Sequence, residues 1–459
     1  MLRTGLQALR GKLLSGELTS TDLLAEALAH ITESAGEGAR TFTLVLGDDA
    51  LAQARRADEL YAAGLGEKFP LLGIPISVKD LFDLKARVTT AGSRVLASEA
   101  PAHRDAEVVA RLRRAGAVIV GRTNMTELAF SGLGLNPHYG TPLNPWDRGT
   151  GRIPGGSSSG AAISVTDAMC VAAIGTDTGG SVRIPSALCG LVGFKPTQTT
   201  VPLDGTYPLS TALDSIGPLA WSVEDCGTLY DVLSDSRAPA PALPDRLRFA
   251  VPANYVLDGM DVAVSNDFEA ALASLAEAGG HSIERIEVPA FDRIGEAGRI
   301  GTFPGLEAYA AQQDRLRRQG AAFDPQVRRR IEAAGTLPDD ALDRLKAFRQ
   351  DTIAEARATL GAYDAVLFPT VPTVAPPLAD LADDATFART NLAMLRNPTV
   401  INFIDGCAAS LPMHASGAAP TGLSVAGLNG TDRKILAVSA IVEDLLPTRQ
   451  NGPKAPTPI

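Results

Sequence analysis

The sequence predicts an α/β fold of enzyme size. Three observations carry that expectation: short β-branched apolar runs alternate with helical patterns, glycine-rich loops separate them, and the composition supplies a large core. Of 459 residues, 45% are hydrophobic and 20% charged, the ordinary globular balance, so the core needs neither disulfides nor metals. Strand-like runs lie on both sides of the Pro/Ala-rich connector at 237–244. One continuous domain over residues 1–446 is therefore expected, with a disordered tail at 447–459.

Taken in order, Leu13, Leu23, Leu24, Ala27, Leu28 and Ile31 recur at helical spacing, with Thr19, Ser20 or Thr21 placed to cap the second helix. An alanine-rich helix follows at about 49–63. The apolar run at 72–78 reads as a buried strand that ends in Lys79-Asp80. Next come a helix at 106–114, a strand at 117–120 and a helix at about 125–130. The loop Gly155-Gly156-Ser157-Ser158-Ser159-Gly160 opens an apolar helix, and a strand at 170–174 leads into Thr176-Asp177-Thr178-Gly179-Gly180-Ser181. Strands are also expected at 247–251 and 365–368. A charged helical region at about 306–360 is expected to form a cap or flank.

The net charge of −10 argues against a nucleic-acid partner, and Arg328-Arg329-Arg330 reads as a solvated helix face. No apolar run reaches membrane-spanning length, and the first residues lack a signal-peptide pattern. Cys170, Cys189, Cys226 and Cys407 lie far apart with no metal-ligand spacing, so reduced, buried thiols in a cytoplasmic protein without metal or cofactor are expected.

Several motifs compete for the chemistry. Gly156-Ser157-Ser158-Ser159-Gly160 fits the G-x-S-x-G nucleophile elbow with Ser158 as nucleophile, but the only later histidines, His281 and His414, sit in unpromising contexts. No lysine follows a serine by three positions, and Gly160-Ala161-Ala162 stands where a phosphate-binding loop needs G-K-[ST]. What remains is a lysine at a strand exit and two serines in glycine-rich loops. A serine hydroxyl needs a base, and burial can lower a lysine pKa from about 10.4 towards neutrality, which makes Lys79 the candidate. Glycines before Ser181 allow several N–H groups to converge on one oxyanion.

Three ordered blocks then resemble the amidase signature family of Ser-cisSer-Lys hydrolases: residues 73–80 (GIPISVKD), 154–160 (PGGSSSG) and 175–185 (GTDTGGSVRIP). The likeness continues through 189–197 and 214–219, and is densest over the signature core at about 70–230. It implies a large twisted mixed β-sheet flanked by helices on both faces. It further implies Lys79 as base, Ser157 after a cis peptide bond as bridge, Ser181 as acylated nucleophile, and the N–H groups of Thr178, Gly179, Gly180 and Ser181 as oxyanion hole. Asp177 and Arg183 would support the loop. Met125 and Ser131 fall where the family lines its acyl pocket.

The implied activity is hydrolysis of a small-molecule amide, urea-like compound or carbamate by water, and relatives commonly form homodimers. The family also holds the glutaminase-like subunit of the tRNA-dependent amidotransferase, but Ile184 replaces that subunit's glutamine. Asp405, where many members have glycine, is similar to the allophanate and carboxybiuret hydrolase branch and would face substrate nitrogen. A stand-alone amidase is therefore preferred to an amidotransferase subunit or a non-catalytic protein that keeps the fold.

Overall fold

The computed structural model describes residues 1–277 and 280–446; the tail expected at 447–459 lies outside them. Among the described residues, eleven strands form one mixed sheet. They are β1 (Phe42–Val45), β2 (Pro75–Lys79), β3 (Val118–Thr123), β4 (Ala172–Asp177), β5 (Val192–Lys195), β6 (Ser215–Ala220), β7 (Arg248–Pro252), β8 (Ser282–Ile286), β9 (Ala365–Pro369), β10 (Cys407–Pro412) and β11 (Gly422–Gly427). Their order is β1-β3-β2-β4-β6-β5-β10-β11-β9-β7-β8. β2 runs parallel to β3 and β4, and β7 runs parallel to β8 and β9, while the centre from β4 to β9 is antiparallel. Every residue of β2, β3, β4, β5, β6 and β9 is buried, so this part of the sheet is covered on both faces.

The local signals mostly hold. Thr19 caps the Ser20–Thr32 helix through a reciprocal box with Asp22, which satisfies two orphan donors. The 306–360 region is three helices, Phe303–Gln319, Pro325–Ala334 and Ala341–Leu360. One expectation fails: the helix at about 125–130 is only a short 3₁₀ turn at Glu127–Ala129, with Leu128 at φ 52° and Ala129 at φ 60°. Tertiary bonds hold the segment in that shape, because Thr126 N–H donates to Ser157 and Leu128 N–H to Ala91. The 237–244 connector is irregular, as its prolines dictate.

Two parallel strands bring the chemistry together. β2 lies between β3 and β4, so Lys79 at the end of β2 and Thr176-Asp177 at the end of β4 emerge at the same edge. Ligands in parallel α/β sheets favour this carboxyl end of the strands.

Candidate active site

Lys79 is fully buried, and its Nζ lies 2.7 Å from Ser157 Oγ and 2.9 Å from Thr176 Oγ1. Burial pulls its pKa down to about 7, against the opposing carboxylates of Asp214 and Asp177. An amine in that range exchanges protons with a hydroxyl at neutral pH. The Gly156–Ser157 peptide is cis, and Ser157 is fully buried. Glycine is required beside it: a Cβ on Gly156 would meet Gly134 N at 2.4 Å.

The loop after β4 carries Ser181 into a pocket lined also by Phe130, Ser131, Thr178 and Gly179. Gly180 has φ 120°, and a Cβ there would meet Pro398 Cγ at 2.4 Å. The loop therefore closes against the Asp384–Phe403 helix only with glycine at that position. Asp177 organises it from beneath. Its carboxylate accepts from Gly180 N at 2.8 Å, from Val182 N at 3.2 Å, and from Arg183 Nε and Nη2 at 3.0 and 2.9 Å. Burial alone would raise this carboxyl, but the Arg183 guanidinium and Asn402 hold it well below the usual carboxylate range. Arg183 in turn donates to Asn402 Oδ1 and to the Pro398 carbonyl.

This anchoring corrects one expectation. The Gly180 N–H is committed to Asp177, so it does not belong to a free donor set. The N–H groups of Thr178, Gly179 and Ser181 meet no acceptor among the described residues. Thr178 is fixed by its hydroxyl, which donates to Asp214 Oδ1 at 2.5 Å. The Asp214 carboxyl is itself pushed up to about 6 by burial, against hydrogen bonds from Thr178, Ser210 and Leu209.

The remaining candidates divide. Ser131 lines the pocket, with its hydroxyl bound to Asn391 Oδ1 at 2.9 Å. Met125 is fully buried in the main apolar core and does not line the pocket, because its segment turns its side chain inward before the chain reaches Phe130. Asp405 also lies off the pocket: at φ 53° in the turn before β10, it accepts from Gln198 N and from Asn429 Nδ2, which ties three loops together. Ser158 cannot serve as an exposed elbow, since it is fully buried with its N–H on the Ser181 carbonyl and its Oγ on the Thr176 carbonyl. Neither His281 nor His414 lines the pocket.

Reading the sequence missed Asp214, Asn402, Thr399 and Arg330. The first two support the loop and the last two line the pocket with Ser181. For Arg330 a signal existed. It follows buried Val327 by three positions, which places it on the inward face of its helix. Arg328 and Arg329 do face solvent, paired with Glu332 and Asp384, so the solvated-face expectation is corrected for Arg330 alone.

Among the described residues no His/Cys/Asp/Glu cluster could hold a metal, and no helix is long and apolar enough to cross a membrane. All four cysteines are free and buried.

Comparisons with known proteins show the family. The Amidase family profile matches residues 23–436. The chain is 35% identical over 382 residues to 2-amino-5-chloromuconic acid deaminase of Comamonas testosteroni, covering 82% of each protein. It is 34% identical over 466 residues to a glutamyl-tRNA(Gln) amidotransferase subunit of Chloroflexus aggregans, covering 93% of each. A crystal structure described as an amidase superposes with a TM-score of 0.87 at 30% identity, covering 96% of this chain and 100% of the other. With a matching profile over nearly its whole length and this sheet beneath the two serine loops, the chain belongs to the amidase family of hydrolases that act on non-peptide C–N bonds.

Proposed function

We propose that the protein is a stand-alone amidohydrolase working through an acyl-enzyme on Ser181. The observation that carries this reading is the 2.7 Å contact between Ser157 Oγ and a fully buried Lys79, beside the loop that sets Ser181 in a pocket. Neutral Lys79 takes a proton from Ser157 as Ser157 takes one from Ser181, and Ser181 Oγ attacks the substrate carbonyl. The oxyanion is received by the N–H groups of Thr178, Gly179 and Ser181. Collapse expels the amine, protonated by the same relay. Water then hydrolyses the ester in reverse order.

The test is covalent. A fluorophosphonate probe is expected to add once to the purified chain, at Ser181 by peptide mass analysis, and a panel of amides, anilides, ureas and carbamates should include a substrate. An adduct on Ser158, or none, would sink the reading. Turnover by the isolated chain also separates it from the other reading, part of an amidotransferase complex, which the 34% identity to such a protein keeps in view. Four free cysteines support a reducing, cytoplasmic setting.

The pH profile follows from Lys79. Its pKa of about 7 means that acid converts the base to an ammonium that cannot accept a proton. The expected kcat/KM falls about tenfold per pH unit below about 7 and levels off above about 8. A rate that is flat from about pH 5.5 to 8.5 would remove Lys79 as the base.

A further inference from the structure

The loop that carries Ser181 is held by a carboxylate at each end. Asp177 grips the Gly180 and Val182 N–H groups, and Asp214 grips Thr178 at the start of the loop through a hydroxyl 2.5 Å from Oδ1. Asp214 also closes a turn of its own. Its Oδ2 accepts from Leu209 N at 2.9 Å and from Ser210 N at 3.1 Å, while the Ser210 carbonyl accepts from Leu213 N at 3.1 Å and Asp214 N at 2.8 Å. With its two ends bonded to each other the turn moves as one body, and Asp214 moves with it.

Glu307 on the Phe303–Gln319 helix grips that turn from outside. Phe303 and Glu307 lie four positions apart and so share a helix face. The first lines the pocket, and the second, one helical turn on, meets the 210–212 segment. Glu307 Oε1 accepts from Thr211 Oγ1 at 2.7 Å, and Oε2 accepts from the Ser210 hydroxyl and from Ala212 N at 3.4 Å. Hydrogen bonds to an ionised acceptor are the stronger kind. Ser210 is fully buried, so its hydroxyl would lose its partner if Glu307 were removed. The carbonyls of the segment are held separately, Thr211 O by Gln198 Nε2 at 2.7 Å and Ala212 O by Arg349 Nη1 at 3.1 Å. Those two residues also bind elsewhere, Gln198 N–H to Asp405 and Arg349 to the Asn402 and Phe403 carbonyls. Among the described residues the Glu307 carboxylate bonds to this turn alone.

We propose that Glu307 is a positioning residue for the hydrolysis: it fixes the 210–212 turn, and through Asp214 that turn sets Thr178 and with it the start of the loop that carries Ser181. This rests on the Ser181 reading, in which the Thr178 N–H is one of the donors to the oxyanion. Such a donor must lie about 2.7–3.1 Å from the developing charge. A misplacement of about 1 Å can cost on the order of 10²-fold in rate.

Glu307→Ala is therefore expected to lower kcat by about 10- to 10²-fold with KM changed by less than about twofold. Glu307→Gln keeps the length of the side chain and one acceptor oxygen, and it should recover much of the loss. Thr178→Val deletes the hydroxyl that reaches Asp214 but keeps the backbone N–H, so it should slow kcat to a similar degree. The double variant should then stay within about twofold of Thr178→Val alone, because one chain of contacts is broken twice. Hydrogen-exchange mass spectrometry reads the link without turnover: Glu307→Ala should speed exchange at 208–214 and also at 177–183.

If Glu307→Ala loosens both segments while wild type cleaves no amide, the link stands and the hydrolase reading fails. If amides are cleaved but Glu307→Ala raises KM at unchanged kcat, or the two losses multiply in the double variant, the proposal is overturned and the hydrolase reading stands. Faster exchange confined to 208–214 overturns it as well. Should Glu307→Ala not fold, Glu307→Gln and Ser210→Ala, which deletes one of the three donors to Glu307, decide in the same way.

Discussion

Ser181→Ala is expected to lower kcat by about 10⁴- to 10⁶-fold while the fold survives, as found when the nucleophile of a serine hydrolase is removed. The substitution deletes one oxygen, and the Ser181 hydroxyl makes no hydrogen bond among the described residues, so little stability depends on it. Lys79→Met should be nearly as damaging to kcat. Its effect on stability should be small or favourable, since burial holds the lysine pKa far below its usual value and methionine fills the stem's volume without an amine to desolvate. Because the relay acts as a unit, the double variant should be no slower than the worse single one. Steady-state and burst kinetics on a panel substrate measure all three. Turnover by Lys79→Met within about tenfold of wild type would mean that the proton goes elsewhere, and the 2.7 Å contact would then be structural.

How much of this was visible beforehand depended on whether the signal was local. β2 and β4 were legible because each is a short apolar run ending in a polar residue, and those ends carry Lys79 and lead to Ser181. β6, β10 and β11 were not. β6 contains Gly217 and Pro218, and β10 and β11 are rich in alanine, glycine and serine, types with little intrinsic strand preference. Their conformation comes from neighbours on both sides. At Gly217 a Cβ would lie 1.9 Å from the Phe194 carbonyl, so the position is dictated by a strand far away in sequence. The site divides in the same way. Its serines and lysine sit in recognisable blocks, whereas Asp214, Asn402 and Arg330 reach it from separate segments and acquire meaning only through tertiary contact. Asp405 failed for the opposite reason: an unusual residue in a recognisable block serves loop geometry and not the pocket.

Removing one partner of the Asp177–Arg183 pair should have the largest effect on stability. Both side chains are fully buried, with Arg183 Nη2 2.9 Å from Asp177 Oδ1. Asp177→Ala leaves the guanidinium without its counter-charge and strips the acceptor from the Gly180 and Val182 N–H groups. A cost of about 3–5 kcal/mol is expected, read as a lower apparent Tm and denaturant midpoint. Arg183→Met should be destabilising for the converse reason. The double change Asp177→Leu with Arg183→Met removes both charges together and should recover much of the loss, since desolvating an ion pair offsets much of its attraction. Activity should not return with it. The Asp177 carboxylate holds the loop that carries Ser181 through the N–H groups of Gly180 and Val182, and leucine offers those backbone groups no acceptor. A double variant that regained both stability and kcat would show that the pair serves the core and not the loop. Single variants within about 1 kcal/mol of wild type would show that it serves neither.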